Sequence, residues 1–241
     1  MQLFAYILIY PFIWLLSILP TRLLYMFSSV LFLFVFYIIG YRRKVVRNNL
    51  KLCFPEKSDK EIRIISRKFY QHFCDMIFES IKSLTISEAE IKRRFKFTNV
   101  EVLLELEKEN KSIMMMCAHY GSWEWIFILQ NYVSSNGYAV YKKLNNKYFD
   151  KLVRKIRAKY NTYLITTKET VFTLRDLKAK GEMGMFGFLS DQSPKAIKAR
   201  HWKEFMGIKV PVYTGAESLA KELDMTVIFF KTKKVKRGYY E

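Results

Sequence analysis

Two apolar runs open the chain, Leu3 to Leu19 and Leu23 to Gly40, parted only by Pro20, Thr21 and Arg22. Each approaches the ~17–25 residues that a helix needs to cross a bilayer. Pro11 and the short break suit a re-entrant or interface-lying helical pair equally well, because a helix lying flat needs no full crossing length. Arg22 is the single charged residue between Met1 and Gly40, and the opening Met1-Gln2-Leu3-Phe4 lacks the early positive charge of a cleaved signal peptide. Residues 1–40 are therefore read as a retained membrane anchor, and residues 41–241 as the domain it carries. Arg42, Arg43, Lys44, Arg47 and Lys51 follow with no acid among them, which puts this end, and the domain beyond it, at the cytoplasmic face.

Beyond the anchor the period becomes helical. Ser58 and Glu61 form a capping-box signature, after which Ile62, Ile65, Phe69, Phe73, Met76 and Ser80 recur at helical spacing, predicting a long amphipathic helix over 59–83. Ser87 with Glu90 starts a short helix, and Val100 to Glu109 predicts another. Strand-length apolar segments then recur at Ser112 to Ala118, Tyr138 to Tyr141, Thr162 to Ile165, Met183 to Leu189 and Thr226 to Phe230. Helical stretches near 123–133, 147–159, 168–180 and 214–223 separate them, the last opening on a capping signature at Thr214 and Glu217. Alternation of strand and helix predicts an α/β fold with a mainly parallel sheet covered by helices, and ligands near the carboxyl ends of the strands. The last residues follow a basic run without a closing helix, so the sequence reads as a fragment truncated at its C-terminus.

Composition narrows the partners. The 241 residues are 51% hydrophobic and 26% charged, which excludes a disordered chain. Lys and Arg number 41 against 22 acids, a net +19, so the field favours nucleic acid, anionic lipid, a phosphorylated substrate or an acidic carrier protein. Three scattered cysteines, Cys53, Cys74 and Cys117, fit neither a disulfide framework nor a metal site and point to a reducing compartment.

Of the three histidines, His72 lies within the predicted long helix and His201 in a polar basic segment, and both read as structural or solvated. His119 directly follows the Ser112–Ala118 strand and opens His119-Tyr-Gly-Ser-Trp-Glu124. Gly121 permits close backbone approach and Ser122 is placed to cap the next helix. On one continuous helix His119 and Glu124 would point ~140° apart, so their pairing requires the strand-turn-helix break that the sequence supplies. A carboxylate accepting the Nδ1 proton fixes the imidazole tautomer and leaves Nε2 to deprotonate a hydroxyl. A satisfied structural histidine fits these residues as well. Ser122 lacks the G-x-S-x-G surroundings of a nucleophile, and nothing lowers the pKa expected for the Cys117 thiol.

The segment Cys117-Ala-His-Tyr-Gly-Ser-Trp-Glu124, with its H-x4-D/E core, resembles the catalytic motif of the late acyltransferases of lipid A biosynthesis, the lauroyl and myristoyl transferases within the lysophospholipid acyltransferase superfamily. Further similarity lies in Tyr141-Lys-Lys-Leu-Asn-Asn146, the Arg157 region, Ser190-Asp-Gln-Ser193, and Glu204-Phe-Met-Gly207 leading to Thr214-Gly-Ala-Glu217. The Glu-Gly-Thr block of the glycerolipid branch does not occur, which leaves lysophosphatidate acyl transfer as the second reading. The resemblance implies transfer of a fatty acyl chain from an acyl carrier protein thioester to a hydroxyl of a phosphorylated lipid A precursor. It makes His119 the base and Glu124 its partner, and aligns Arg157 and Asp191 with further active-site positions; Lys143 and Gln192 are weaker substrate-binding candidates.

Independently of resemblance, Arg157 sits at the edge of the apolar stripe Phe149, Leu152, Val153, Ile156 and Tyr160, where its guanidinium could grip a phosphate or simply line a rim. Asp191, at the end of the Met183–Leu189 strand, could equally cap its loop. Lys142 to Lys159 holds eight basic residues against one acid, and Lys231 to Arg237 five against none. Interleaved aromatics such as Tyr141, Tyr148 and Phe149 would suit nucleic acid, but the anchor argues for a membrane, an anionic lipid acceptor and an acidic carrier instead. A thioester already supplies an activated acyl group, so neither cofactor nor metal is expected.

Overall fold

A computed structural model describes residues 1–241, Lys198 by its backbone alone. The chain forms two compact units: Ile9–Ile86 with Glu204–Ile208, and Met1–Leu8 with Ser87–Lys203 and Lys209–Glu241.

The first unit is helical. Helix α1 (Gln2–Ile18), which enters this unit at Ile9, retains Pro11 within it. Helix α2 (Thr21–Leu33) continues through wider π-type turns at Phe34–Ile39 and stops at Gly40, whose φ of +64° lies in the left-handed region that glycine adopts without strain. Thr21–Ile39 is, among the described residues, the one helix long and apolar enough to cross a membrane. The basic segment folds as helix α3 (Arg43–Cys53), an element the hydrophobic pattern did not announce. Helix α4 (Asp59–Lys82) forms its capping box as expected: Ser58 Oγ accepts the Glu61 N–H at 3.3 Å and the Glu61 carboxylate accepts the Ser58 N–H at 2.9 Å.

The buried stripe of α4 differs from the expected one. Ile62, Ser66, Tyr70, Cys74 and Phe78 are buried together with Asp75 and Glu79, whereas Phe69 is 46% exposed and Ser80 is also exposed. The cause is α2, which lies along α4 and supplies hydroxyls to its carboxylates. Ser28 Oγ donates to Asp75 and Tyr25 Oη to Glu79, each at 2.6 Å. Burial of Asp75 and Glu79 through polar partners is what a search for hydrophobic period alone does not find.

The second unit is the α/β fold that alternation predicts. Helices α5 (Glu88–Arg94) and α6 (Val100–Glu107) precede β1 (Ile113–Cys117). A 3₁₀ helix (Trp123–Asn131) leads to β2 (Asn136–Tyr141), α7 (Lys147–Arg157), β3 (Tyr163–Thr166), α8 (Thr170–Ala179) and β4 (Gly184–Leu189). Strands β5 (His201–Phe205) and β6 (Ile208–Val212) make a small two-stranded sheet. Helix α9 (Gly215–Glu222), β7 (Thr226–Phe229) and the antiparallel pair β8 (Lys234–Lys236) and β9 (Tyr239–Tyr240) complete the chain described. Thr214 precedes α9 without a side-chain capping bond, correcting the third capping signature.

The main sheet has the order β3-β2-β4-β1-β7, with parallel pairings throughout. Successive residues of β1 enter different cores. Met114 packs with Leu174, Phe186 and Leu219, while Ile113, Met115 and Cys117 pack with Ile126, Leu129 and Met185. Burial on both faces explains why the strand reads as a continuous apolar run.

Candidate active site

The site begins with strand register. β1 and β4 run parallel with Cys117 opposite Leu189. Two residues past each lie His119 and Asp191, so the same register that pairs the strands brings imidazole and carboxylate together at the carboxyl edge of the sheet. His119 Nδ1 is 2.7 Å from Asp191 Oδ1, and the His119 backbone N–H donates to Asp191 Oδ2 at 3.0 Å. Both carboxylate oxygens are thus engaged by one residue, which fixes the ring's orientation. The two side chains remain 35% and 36% exposed, so solutes can reach the ring.

Burial acts to push the Asp191 carboxyl up, but the side-chain bond to His119, the His119 N–H and the imidazole's charge outweigh it and hold the group below the usual carboxylate range. Cys117, two residues before His119, is the reverse case: burial, with a smaller contribution from the Asp191 charge, pushes its thiol up to about 12. It is therefore a neutral packing residue rather than a thiolate.

Glu124 does not meet the imidazole, a correction to the expected pairing. Its carboxylate takes two bonds from Arg157 at the end of α7, Nε to Oε2 at 2.9 Å and Nη2 to Oε1 at 2.5 Å. These side chains are only 11% and 15% exposed. The fork of Arg157 is thus used on Glu124 rather than presented at a rim. The segment after the turn is a 3₁₀ helix, and Ser122, itself buried, makes no side-chain capping bond.

Trp123, a residue the sequence gave no separate role, contacts a member of each of the two side-chain pairs. Its ring stands edge-on to His119 with centroids 5.5 Å apart, and the Arg157 guanidinium lies over it at 5.0 Å. Its position between His119 and Glu124 in the motif was the available signal. Gly121 makes the turn possible: its φ is +67°, and a Cβ there would come within 2.7 Å of Thr232 Cγ2 and 3.0 Å of the Tyr240 ring. The close approach anticipated for this glycine is to side chains of the last strand region.

The remaining candidates lie at the same strand ends without joining the cluster. Gln192 is exposed beside Asp191. Lys143 is exposed two residues beyond β2, near Glu169; there the Thr166 hydroxyl and N–H, helped by Arg154 and Lys143, hold the Glu169 carboxyl low. Behind the motif an apolar cavity of about 50 Å³ is lined by residues including Met115, Cys117, Ile126, Gly187 and Leu189. Among the described residues no group of three or more His, Cys, Asp or Glu side chains is placed to hold a metal ion.

The carboxyl edge of a parallel α/β sheet thus presents a carboxylate-held histidine near an apolar recess, the parts that a histidine base acting on a bound substrate requires. Sequence comparison gives the family. The chain belongs to the bacterial lipid A biosynthesis acyltransferases, matching that family over residues 2–241. It is 24% identical over 184 residues to the lipid A biosynthesis lauroyltransferase of Escherichia coli (strain K12), a match covering 76% of this chain and 60% of the relative. The chain therefore spans about 60% of the length of the curated relative it matches.

Proposed function

We propose that the protein is a membrane-bound acyltransferase that moves a fatty acyl chain from an acyl carrier protein thioester to a hydroxyl of a lipid A precursor, at the cytoplasmic side of the inner membrane. The observation that carries this reading is the 2.7 Å contact between His119 Nδ1 and Asp191 Oδ1, because it leaves Nε2 as the nitrogen that faces substrate. Nε2 takes the proton of the acceptor hydroxyl as its oxygen bonds to the thioester carbonyl carbon. The carbonyl π electrons move to oxygen, then re-form the C=O as the C–S bond breaks, and the imidazolium returns its proton to the departing sulfur. Asp191 accepts the Nδ1–H throughout and stabilises the imidazolium. The backbone N–H groups of Gly121 and Ser122 are the donors assigned to the oxyanion.

Glu124 acts through others in this scheme: it fixes Arg157, and Arg157 and Trp123 together brace the imidazole. The acyl tail starts in the apolar recess behind Cys117 and Leu189. The family supports acyl transfer in lipid A synthesis; the surplus of basic residues supports an acidic carrier and a phosphorylated acceptor.

The test incubates membranes holding the complete protein with labelled acyl carrier protein or acyl-CoA, and with a Kdo-bearing lipid A precursor or lysophosphatidate. Product mass identifies donor and acceptor together. His119→Ala should lower transfer ~10²- to 10⁴-fold, the usual contribution of a general base. Near-normal turnover in that variant removes His119 from the reaction.

A further inference from the structure

The acyl-transfer reading makes no use of a cavity in the helical unit, where the apolar helix gives way to α3 and the start of α4. Its volume is about 610 Å³, within the ordinary range for small-ligand sites. Phe36, Tyr37 and Ile62 supply its apolar lining; Arg43, Arg47, Lys60 and Arg63 contribute four cations to it. Asp59 is the one carboxylate of the lining, and it is shared between Arg47 at 3.0 Å and Lys51 at 2.6 Å. Arg43 is held in place, its guanidinium donating to the Phe36 carbonyl and lying 5.7 Å from the Phe36 ring centroid. Among the described residues Lys60 and Arg63 have no ion-pair partner. Positive charge in excess of its carboxylates, with an apolar lining, suits an anion with an apolar body.

The surroundings say where that body would lie. Leu33, Phe34, Tyr37, Ile38 and Ile39, the last turns before the cavity, are between 49% and 70% exposed. We propose that the cavity binds the phosphate-bearing headgroup of a membrane glycerophospholipid, with its acyl chains against these exposed residues. Arginine suits this role because its planar fork grips two phosphate oxygens at once. A free phosphate would leave the apolar lining without a function, and a recess of this size does not admit a folded carrier protein. The inference rests on the membrane-associated reading above, not on the acyl-transfer step.

The full-length chain in neutral detergent, titrated with phosphatidylglycerol, diacylglycerol or inorganic phosphate and read by native mass spectrometry, tests the proposal. The expected result is one retained phosphatidylglycerol per chain, no retention of diacylglycerol, and no displacement by millimolar phosphate. Arg63→Lys keeps the charge but loses the fork, and should weaken retention about tenfold; Lys60→Gln with Arg63→Gln should weaken it about thirtyfold or more. Both positions are exposed, so thermal melting should be unchanged, and acyl transfer in micelles should stay within about twofold because neither residue belongs to the site around His119. Wild-type retention by Arg63→Lys would mean a diffuse field rather than a site and would overturn the proposal. Displacement by phosphate at equal concentration would overturn it too, by showing a free-anion site. Retention and transfer are read separately, so failure of one leaves the other standing.

Discussion

Which carboxylate serves the imidazole decides how the site works, and the two candidates fail differently when changed. Asp191→Asn keeps the shape of the side chain but removes the charge facing His119 Nδ1. Two unit charges ~4 Å apart interact by ~1 kcal/mol in water and ~4 kcal/mol near a protein surface. With both side chains about a third exposed, the loss falls between these limits. At ~1.4 kcal/mol per tenfold, kcat should drop on the order of a hundredfold. Stability should hardly change. Glu124→Gln instead strands the Arg157 guanidinium, 15% exposed, without its carboxylate. Breaking a fully buried pair costs ~3–5 kcal/mol, so this nearly buried one should cost ~2–3 kcal/mol, or roughly 5–10 °C in Tm for a domain of this size. Adding Arg157→Met to Glu124→Gln removes the stranded charge and should restore most of that loss. Steady-state acyl transfer and thermal melting on the same preparations separate the cases. If Asp191→Asn turns over normally while Glu124→Gln abolishes transfer at unchanged Tm, the assignment of Asp191 to the imidazole is wrong.

Three further outcomes follow from the same geometry. Gly121→Ala must place a Cβ at φ +67° and 2.7 Å from Thr232 Cγ2; it should cost ~2 kcal/mol or more and lower transfer with it, and a melt equal to wild type would show that the turn tolerates side chains. With its thiol pushed up to about 12, Cys117 should resist iodoacetamide at pH 8 while half-buried Cys53 is labelled, and Cys117→Ser should keep most of the activity; peptide mass mapping reads the first and transfer assays the second. Because the Asp191 carboxyl is held below its ordinary value of 3.8, its ionised contacts stabilise the fold fully above that value and are lost only as pH falls through the lowered one. The small Tm difference between wild type and Asp191→Asn should therefore not shrink as pH falls toward 5 and should narrow only below about pH 4; narrowing already near pH 6 would contradict the direction of the shift.

Hydrophobic period announced the elements whose burial is purely apolar. Strand β1 was legible because Met114 and Met115 face different cores and are both buried, so no polar residue interrupts the run. The position of His119 at a strand end was legible for the same reason. Its partner was not: H-x4-E draws attention to Glu124 because covalent spacing is visible in a sequence, whereas the His119–Asp191 pair depends on Cys117 standing opposite Leu189 across 72 residues of chain. Resemblance had already marked Asp191 without saying what it touches. Trp123 escaped for a related reason, since both of its site contacts are through space. Helix α3 was hidden by its charge, and the buried face of α4 by the hydroxyl and carboxylate pairs that replace apolar contacts there.

Those pairs also bear on how the apolar helix would meet a membrane. Length and apolar content allow Thr21–Ile39 to cross a bilayer, but α2 is bound to α4 through Ser28–Asp75 and Tyr25–Glu79, with Asp75 and Glu79 0% and 2% exposed. Helix α4 carries exposed Arg63, Arg67 and Lys68, which hydrocarbon would not accept without a large cost. Keeping α2 on α4 while α2 spans would draw those charges inward. A helix lying in the interface avoids the conflict, turning Met26, Phe27 and Val30, 64%, 47% and 51% exposed, toward lipid and its polar flank toward α4. In a Cys53→Ser background, Leu23→Cys and Tyr41→Cys mark the two ends of this helix, at 40% and 50% exposure. An impermeant maleimide added to sealed vesicles should label both from the same side; labelling from opposite sides would establish a span and require α2 to leave α4.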